Sequence, residues 1–285
     1  MVSNVRSLIV QGGGTRGVFA TGVLDVIAEN GISFDMIAGT SAGALSAYNF
    51  VSGDIGRTKK FVIEIMPKKE FASFHNRMKY GSFFNFRYMF EEVPKTIPFN
   101  YEAFKNNPIR FYCGTTDVKT GKAAYFEKSG PNFDDAIAAS SSLPLVSKPV
   151  KVGDGLYLDG CNECPVPYKI ALEEGYEKLV IVLTRTRAYR KKKPGFFKRA
   201  GYSLMYHKYP EYVASCKDSY ILYNDDMDEI FRLEKEGKAF VICPEVPPTI
   251  GHAEKDGEKI EALYQDGRRI MNERLDELKE FLGIK

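Results

Sequence analysis

The chain has 285 residues, which is enough for one large domain or two small ones with a full hydrophobic core. A formal net charge of +3 is too small to indicate nucleic-acid binding, and no run of about 18 apolar residues predicts a membrane span. Five cysteines suggest no disulfide framework, and the first ten residues lack a signal-peptide pattern. We therefore expect a cytoplasmic protein with reduced thiols.

The first fifty residues alternate between predicted strands and helices. A strand over residues 7–11 and a helix over residues 18–29 are followed by a strand over residues 36–39 and a helix over residues 42–50. This alternation is typical of a parallel sheet covered by helices, so we expect an α/β fold.

The middle of the chain predicts a hairpin over residues 109–118 and 122–127, and then a short helix over residues 133–141. A short strand over residues 156–158 leads into Asp159-Gly160, which is expected to lie on a loop. The later predicted elements are a helix over residues 167–174, strands over residues 178–184 and 239–243, and one long amphipathic helix over residues 256–282.

Gly39-Thr40-Ser41-Ala42-Gly43 matches the G-x-S-x-G pattern of a nucleophilic serine. Because a strand precedes the motif and a helix follows it, Ser41 is expected on a sharp turn at the edge of the sheet. Gly39 and Gly43 remove side chains where strand and helix approach each other, and the helix N-terminus favours a developing oxyanion. The motif predicts that Ser41 is a nucleophile.

A glycine-rich loop lies between the first strand and the first helix, and its residues are Gly12, Gly13, Gly14, Thr15, Arg16 and Gly17. Unpaired amides at a helix start can bind an anion. The loop also fits a dinucleotide fingerprint with Asp35 as its acidic residue, so a nucleotide-binding enzyme is one alternative. However, Asp35 begins the second strand, and Ser41 occupies the end where a ribose would lie. We therefore interpret the loop as an oxyanion hole.

Asp159-Gly160 is a common turn sequence, and its meaning comes from its order after the glycine loop and the serine motif. In this order the three blocks resemble the patatin-like phospholipase family, and residues 138–144 resemble a further block of that family. The resemblance implies a three-layer α/β/α fold with a mainly parallel central sheet. It implies a hydrolase domain over residues 8–172 and leaves residues 173–285 as a C-terminal extension, which we expect to pack on the same core.

The resemblance also implies lipid acyl hydrolysis by a Ser41–Asp159 dyad, without a catalytic histidine, a metal or a cofactor. The amides of Gly13 and Gly14 are its candidates for the oxyanion hole. An ordinary aspartate is a weak base at neutral pH. Because burial disfavours the charged form, burial beside Ser41 should raise the pKa of Asp159 and make it a stronger base. The sequence departs from the family at Cys161, where glycine or alanine usually follows Asp-Gly. Because a thiol is small, the turn should be preserved.

A catalytic triad is a further alternative, because the order Ser41, Asp159, His252 matches that of α/β-hydrolases. His252 precedes a charged helix, and we interpret it as a solvated loop residue. His75 and His207 lie in basic stretches and are expected at the surface.

Redox or zinc chemistry and lipid binding with poor turnover are alternatives to an active hydrolase. Cys161-x-x-Cys164 would need an adjacent helix start for redox chemistry or two more ligands for zinc, so neither is predicted. Cys113 and Cys243 lie on predicted strands and are interpreted as core residues. A lipid-binding or regulatory protein that turns over poorly would keep the serine motif, and it stays as an alternative.

Two segments are interpreted as insertions, over residues 77–101 and 185–209. From Arg185 to Arg199 the chain has eight basic residues and no acidic ones, and this segment is a candidate for peripheral contact with an anionic membrane. No nucleic-acid partner is expected. The aromatic run over residues 83–90 would form either core or an acyl-chain wall above Ser41.

Overall fold

The computed structural model describes residues 6–284. The segment considered above for a signal peptide includes residues 1–5, which lie outside the described residues, as does residue 285 at the end of the expected extension. No helix within residues 6–284 is long and apolar enough to cross a bilayer.

Eight strands in the described part of the chain form a single sheet. They are β1 (Arg6–Val10), β2 (Met36–Thr40), β3 (Arg110–Asp117), β4 (Ala123–Glu127), β5 (Val150–Val152), β6 (Gly155–Asp159), β7 (Lys178–Val182) and β8 (Ala239–Ile242). The order across the sheet is β5, β6, β3, β2, β1, β7 and β8, with β4 also paired to β3. In this spatial order, the pairs β3–β2, β2–β1, β1–β7 and β7–β8 are parallel. The pairs that involve β4, β5 or β6 are antiparallel. The predicted mainly parallel sheet is confirmed.

Helices connect these strands and cover the sheet. Within residues 6–284 they are α1 (Gly17–Glu29), α2 (Ala42–Val51), α3 (Arg57–Lys60), α4 (Phe74–Tyr80), α5 (Phe86–Glu91), α6 (Tyr101–Asn106), α7 (Phe133–Ser140), α8 (Tyr168–Glu173), α9 (Phe196–Met205), α10 (Pro210–Lys235), α11 (Gly257–Glu273) and α12 (Leu275–Leu282). Short 3-10 turns follow β1 and β6, at Gly14–Arg16 and Gly160–Asn162.

The sheet is buried on both faces, as the side chains of β1 show. Leu8 and Val10 belong to a large core that includes residues of α1, α2 and α11, whereas Ile9 belongs to a second core with residues of α8 and α10. Successive side chains of a strand point to opposite faces, so an unbroken apolar run results when both faces are covered. The layers are therefore helix, sheet and helix, which confirms the predicted α/β/α fold.

Residues beyond 172 share this sheet and core. β7 and β8 extend the sheet from β1, and α11 packs across α1. The two helices meet almost backbone to backbone. A Cβ atom on Gly22 would lie 2.2 Å from Tyr264 O, and one on Gly267 would lie 2.2 Å from Phe19 O. Only glycine fits at these two positions.

The structure differs from the predicted elements in several places of the C-terminal half, and β5 and α9 are among the elements that were not predicted. The single helix expected over residues 256–282 is divided at Arg274, so that expectation is wrong. The Arg274 guanidinium donates to Val241 O at 2.6 Å and lies 4.2 Å from the Phe240 ring centroid, which anchors the break to β8. The long helix α10 has no counterpart among the predicted elements.

Candidate active site

Ser41 lies at the turn between β2 and α2, as predicted. Its φ of 55° and ψ of −125° are rarely adopted by a residue with a side chain, so the turn is strained. The Ser41 amide donates to Ser140 Oγ at 2.8 Å, and the Ser140 hydroxyl donates to Gly114 O at 2.6 Å. Ser140 therefore fastens the strained turn to the neighbouring strand β3.

The glycines on either side of Ser41 lie where two backbones touch. A Cβ atom on Gly43 would be 2.3 Å from Val10 O, and a Cβ atom on Gly39 would be 2.7 Å from Gly43 O. Both distances are shorter than any normal contact. The two positions therefore allow α2 to start directly against β1 and β2.

Asp159 is the last residue of β6, which corrects the expectation that it lies on a loop. It belongs to the sheet because it pairs with Thr115 of β3, the residue next to Gly114, which pairs with Thr40 of β2. Its amide also donates to Ser142 O at 3.0 Å. The sheet thus brings Asp159 to the same edge as Ser41, with β3 between their strands.

The Asp159 carboxylate is fully buried, and this determines its basicity. Oδ1 accepts a hydrogen bond from the Cys161 amide at 2.8 Å, whereas Oδ2 has no hydrogen-bond partner within residues 6–284. Burial raises the pKa of Asp159 to about 6, although the nearby Ser41 hydroxyl, Cys161 and Lys191 act in the opposite direction. The carboxylate is therefore a stronger base than an exposed aspartate.

The turn after Asp159 determines which residues can occupy positions 160 and 161. A Cβ atom on Gly160 would lie 2.8 Å from both Thr40 Cγ2 and Gly114 O, so a side chain is excluded there. Cys161 donates to Asp159 through its backbone amide, which any residue except proline could supply. Burial and the Asp159 charge raise the pKa of the Cys161 thiol, which stays neutral. The departure at Cys161 thus leaves the turn intact.

The predicted glycine loop lies against the serine turn. A Cβ atom on Gly12 would be 3.2 Å from Ser41 Cβ, and one on Gly17 would be 2.6 Å from Ala42 Cβ. Gly14 has a φ of 59°, which favours glycine. The Gly12 amide donates to Pro165 O, but the amides of Gly13 and Gly14 donate to no acceptor within residues 6–284. These two amides are free to bind an oxyanion.

His252 is exposed on a loop, as predicted, and it also contacts the glycine loop. The Thr15 amide and hydroxyl both donate to His252 O at 3.0 Å. Arg16 Nη2 lies 2.7 Å from His252 Nε2. Although part of the residue is exposed, burial of the ring and the charge of Arg16 lower the pKa of His252 to about 4. The ring is therefore neutral and accepts a hydrogen bond from Arg16.

These contacts separate His252 from the reacting groups. Its Nε2 atom is already bound by Arg16, and no hydrogen bond joins it to Ser41 or Asp159 in the described structure. His75 and His207 are exposed, as predicted. The geometry therefore provides no Ser-His-Asp triad among the described residues.

A mainly apolar cavity begins at Ser41. Eight Phe and Tyr side chains line it, namely Tyr48, Phe61, Phe71, Phe84, Phe86, Phe90, Phe99 and Tyr101. Ser141, Leu143 and His252 also line it, and no acidic residue of the described chain does so. Three of the aromatic side chains come from the predicted aromatic run over residues 83–90. The cavity can therefore hold an apolar chain beside the serine.

Two other positions of the site carried no clear sequence signal. Lys191 belongs to a basic run that resembles a solvated loop, but its Nζ donates to Cys161 O at 3.3 Å and to Ser219 Oγ at 3.0 Å. Ser140 lies in the stretch that resembles a family block, although nothing in the stretch indicates its contact with Ser41. No group of three or more His, Cys, Asp or Glu side chains within residues 6–284 is placed to hold a metal ion.

Parts of the chain are similar to known protein families and to individual proteins. A family model described as patatin-like phospholipase matches residues 8–171, and a model described as a domain of unknown function matches residues 209–283. The uncharacterized protein YjjU of Escherichia coli K12 is 28% identical over 183 residues, which are 62% of this chain and 51% of that protein. Lysophospholipase NTE1 of Scheffersomyces stipitis is 28% identical over 189 residues, which are 61% of this chain and 11% of that protein.

The chain thus spans about half the length of the first of these relatives and much less of the second. Among solved structures, VipD from Legionella pneumophila aligns with a TM-score of 0.49 and 13% identity, and the alignment covers 96% of this chain and 67% of that chain. The patatin-like match includes the glycine loop, Ser41 and Asp159, and it extends over more than half of the sequence. The chain belongs to the patatin-like phospholipase family.

Proposed function

We propose that the protein cleaves acyl esters of lipids, with Ser41 as nucleophile and Asp159 as base. The observation that carries this proposal is that Ser41, on a strained turn, lies near the fully buried Asp159 carboxylate, whose pKa is raised to about 6. Membership of the patatin-like family supports lipid acyl hydrolysis in general. The dyad itself is our inference from the geometry.

In the proposed reaction, Ser41 Oγ attacks the ester carbonyl while its proton passes to Asp159. The carboxylate oxygen Oδ2 is the acceptor, because Oδ1 is held by the Cys161 amide. The amides of Gly13 and Gly14 stabilise the oxyanion, where one donor is typically worth about 3–4 kcal/mol. Asp159 then returns the proton to the leaving alcohol, and water activated by Asp159 hydrolyses the acyl-enzyme.

The aromatic cavity supports a lipid as the substrate. Its wall is apolar and lacks acidic groups, so it suits the acyl chain of an ester rather than a charged group. Arg57 also lines it, but this guanidinium donates to Asn49 and to two backbone carbonyls and stacks on Phe99, so it supports the wall. Peripheral contact of residues 185–199 with an anionic membrane is part of the same proposal.

The test is covalent labelling with a fluorophosphonate, detected by intact mass, on the wild type and on Ser41→Ala, Asp159→Asn and His252→Ala. Wild type should gain one adduct, and Ser41→Ala should gain none. Asp159→Asn should react far more slowly, because the serine loses its base. His252→Ala should still be labelled, since the His252 ring is bonded to Arg16 and forms no hydrogen bond with Ser41 or Asp159 in the described structure.

Each other outcome points to a different function. Loss of labelling in folded His252→Ala would replace the dyad by a triad. A folded wild type that binds lipid but is not labelled would favour the lipid-binding protein that turns over poorly.

A further inference from the structure

Two surface helices expose large apolar side chains. On α4, Phe74 is 75% exposed and Met78 is 90% exposed, while on α9 Phe197 is 90% exposed and Leu204 is 80% exposed. Within each helix the two residues lie on one side, because residues four or seven apart share a helix face. Such contiguous apolar surface marks an interaction site in a water-soluble fold.

Both apolar stripes border the same segment, residues 143–148. Gly201 of α9, in the stripe of Phe197 and Leu204, has its Cβ position 3.4 Å from Leu145 Cδ2. Arg77 of α4 donates to Leu145 O at 2.6 Å. Segment 143–148 therefore lies between the two helices, and we name these three elements together the α4–α9 face.

Segment 143–148 also connects this face to the cavity. Leu143 lines the cavity that begins at Ser41. Leu145 has a φ of 72°, which is strained for a branched residue. The Tyr206 hydroxyl accepts from the Leu145 amide at 3.0 Å, so α9 and α4 together hold the strained residue in place. The exposed stripes are thus fixed next to the cavity wall.

The charged side chains of the α4–α9 face itself are all basic, and Asp218 of α10 is an acidic neighbour in a groove that Arg199 and Ser203 of α9 also line. No Asp or Glu occurs in residues 71–90, 136–153 or 178–210, which include α4, the connecting segment and α9. Among the described residues, seven lysines of these stretches form no salt bridge and are exposed, namely Lys79, Lys148, Lys151, Lys192, Lys193, Lys198 and Lys208. The face therefore combines protruding apolar side chains with uncompensated positive charge.

The basic side chains of residues 185–191 are mostly engaged in contacts within the protein, so they have less free charge for an anionic surface. Arg187 forms a salt bridge with Glu234, and Arg190 forms one with Asp228. Lys191 is turned inward to Cys161 O and Ser219. The free charge of the basic segment is concentrated at its later end, beside α9.

We propose that the α4–α9 face docks on the surface of a bilayer that contains anionic phospholipid. Apolar side chains flanked by lysines are the pattern of an interfacial helix, because the apolar groups enter the headgroup boundary while the lysines meet lipid phosphates. A protein partner with an acidic surface would not require Phe74, Met78, Phe197 and Leu204 to protrude. Docking through this face would place the cavity beside lipid, so the inference rests on the proposed lipid hydrolase function.

The experiment is co-sedimentation of the whole chain with phosphatidylcholine vesicles, with and without phosphatidylglycerol. The wild type should bind the anionic vesicles, and salt or the absence of phosphatidylglycerol should weaken binding. Lys192→Gln/Lys193→Gln should bind about thirtyfold more weakly, since each lysine near an anionic surface is worth about 1 kcal/mol. Phe197→Ser/Leu204→Ser should bind at least about tenfold more weakly, because a large apolar side chain that enters an apolar environment is worth about 1.5 kcal/mol or more. Val246→Ser is the matched control, because Val246 is 68% exposed outside the face.

Fluorophosphonate labelling and hydrolysis of a soluble short-chain ester separate docking from catalysis. Both should be unchanged in the two double variants, whereas hydrolysis of vesicle lipid should fall with binding. Wild-type binding by the double variants, or an equal loss in Val246→Ser, would overturn the proposal. A dimeric wild type that becomes monomeric in Phe197→Ser/Leu204→Ser would instead assign the face to a second copy of the chain. Specific vesicle binding without any labelling would retain docking and reject the hydrolase.

Discussion

At the scale of single residues, the function depends on the basicity of one buried carboxylate. Asp159 owes its raised pKa to burial, and its free oxygen Oδ2 is available to accept a proton. The Ser41 hydroxyl is close enough to affect this pKa without forming a hydrogen bond of normal geometry. Catalytic hydrogen bonds are often long in the absence of substrate, so this arrangement is consistent with the proposed dyad.

The pH dependence of hydrolysis should follow Asp159. Because its pKa is about 6, kcat/KM for a soluble short-chain ester should rise as the pH increases through about 6 and then level off. His252→Gln should keep this profile, since the pKa of His252 is lowered to about 4 and its ring contacts Arg16. If His252→Gln instead lost activity and no longer showed the rise of kcat/KM through about pH 6, His252 would be the base.

The same burial should make the protein less stable. An aspartate with a pKa near 3.8 when unfolded and about 6 when folded binds more protons in the folded state between these values, so stability falls as the pH rises through this range. Asp159→Asn should remove this effect and raise the free energy of unfolding by up to about 3 kcal/mol at neutral pH, while activity is lost.

Urea unfolding of the wild type and Asp159→Asn at a series of pH values measures this difference. It should shrink as the pH falls from 6 towards 4, because the carboxyl becomes protonated in the folded state, and it should vanish only below the unfolded pKa near 3.8. Asp154→Asn, at an exposed turn, is the control and should change little. A destabilised Asp159→Asn at neutral pH would contradict the account.

At the scale of elements, the short helices between residues 57 and 106 form much of the cavity wall. Phe84 lies there with its ring centroid 5.4 Å from that of Phe71. Phe84→Asp should lower the ratio of kcat/KM for a decanoyl over a butyryl ester about tenfold, because each buried methylene is worth about 0.8 kcal/mol. Steady-state hydrolysis of the two soluble esters measures this ratio.

Phe281→Asp is a suitable control, because Phe281 is half-buried against Phe240 and does not line the cavity. Its chain-length ratio should match that of the wild type. If Phe84→Asp lost activity equally on both esters, the change would reflect a folding defect rather than a shortened acyl site.

Elements with strong local signals could be predicted from the sequence. β1 and β7 end in unbroken apolar runs, over residues 8–10 and 179–182, because both faces of the sheet are covered, and the serine turn is a local strand–turn–helix pattern. The break at Arg274 has no glycine or proline, and it follows from contacts with β8 that are distant in sequence. α10 was missed because its buried residues are interspersed with charged ones.

The candidate site shows the same division. The glycine loop, Ser41 and Asp159 could be recognised from local motifs and their order. The position of His252 could not, because its partner Arg16 lies 236 residues away in the chain. The inward contact of Lys191 with Cys161 could not be predicted either, because Lys191 lies in a run of basic residues and nothing local indicates its partner.

At the scale of the whole molecule, the glycine loop is completed by residues that lie beyond the patatin-like match. Thr184 donates to Gly12 O at 3.1 Å, and the backbone of His252 holds Thr15. β7 also covers the edge of β1, the strand that leads into the loop. We therefore propose that residues 173–285 act with the patatin-like region as one hydrolase unit.

The contact of α1 with α11 has a consequence for how this chain can be inherited. Gly22 and Gly267 lie far apart in sequence, yet each is required by the backbone of the other helix. A C-terminal segment exchanged from a distant relative would have to bring a glycine at the facing position, or the helices would be forced apart beneath the loop. The regions that contain α1 and α11 can therefore be exchanged only together, and substitutions at the contact in one region are limited by the other.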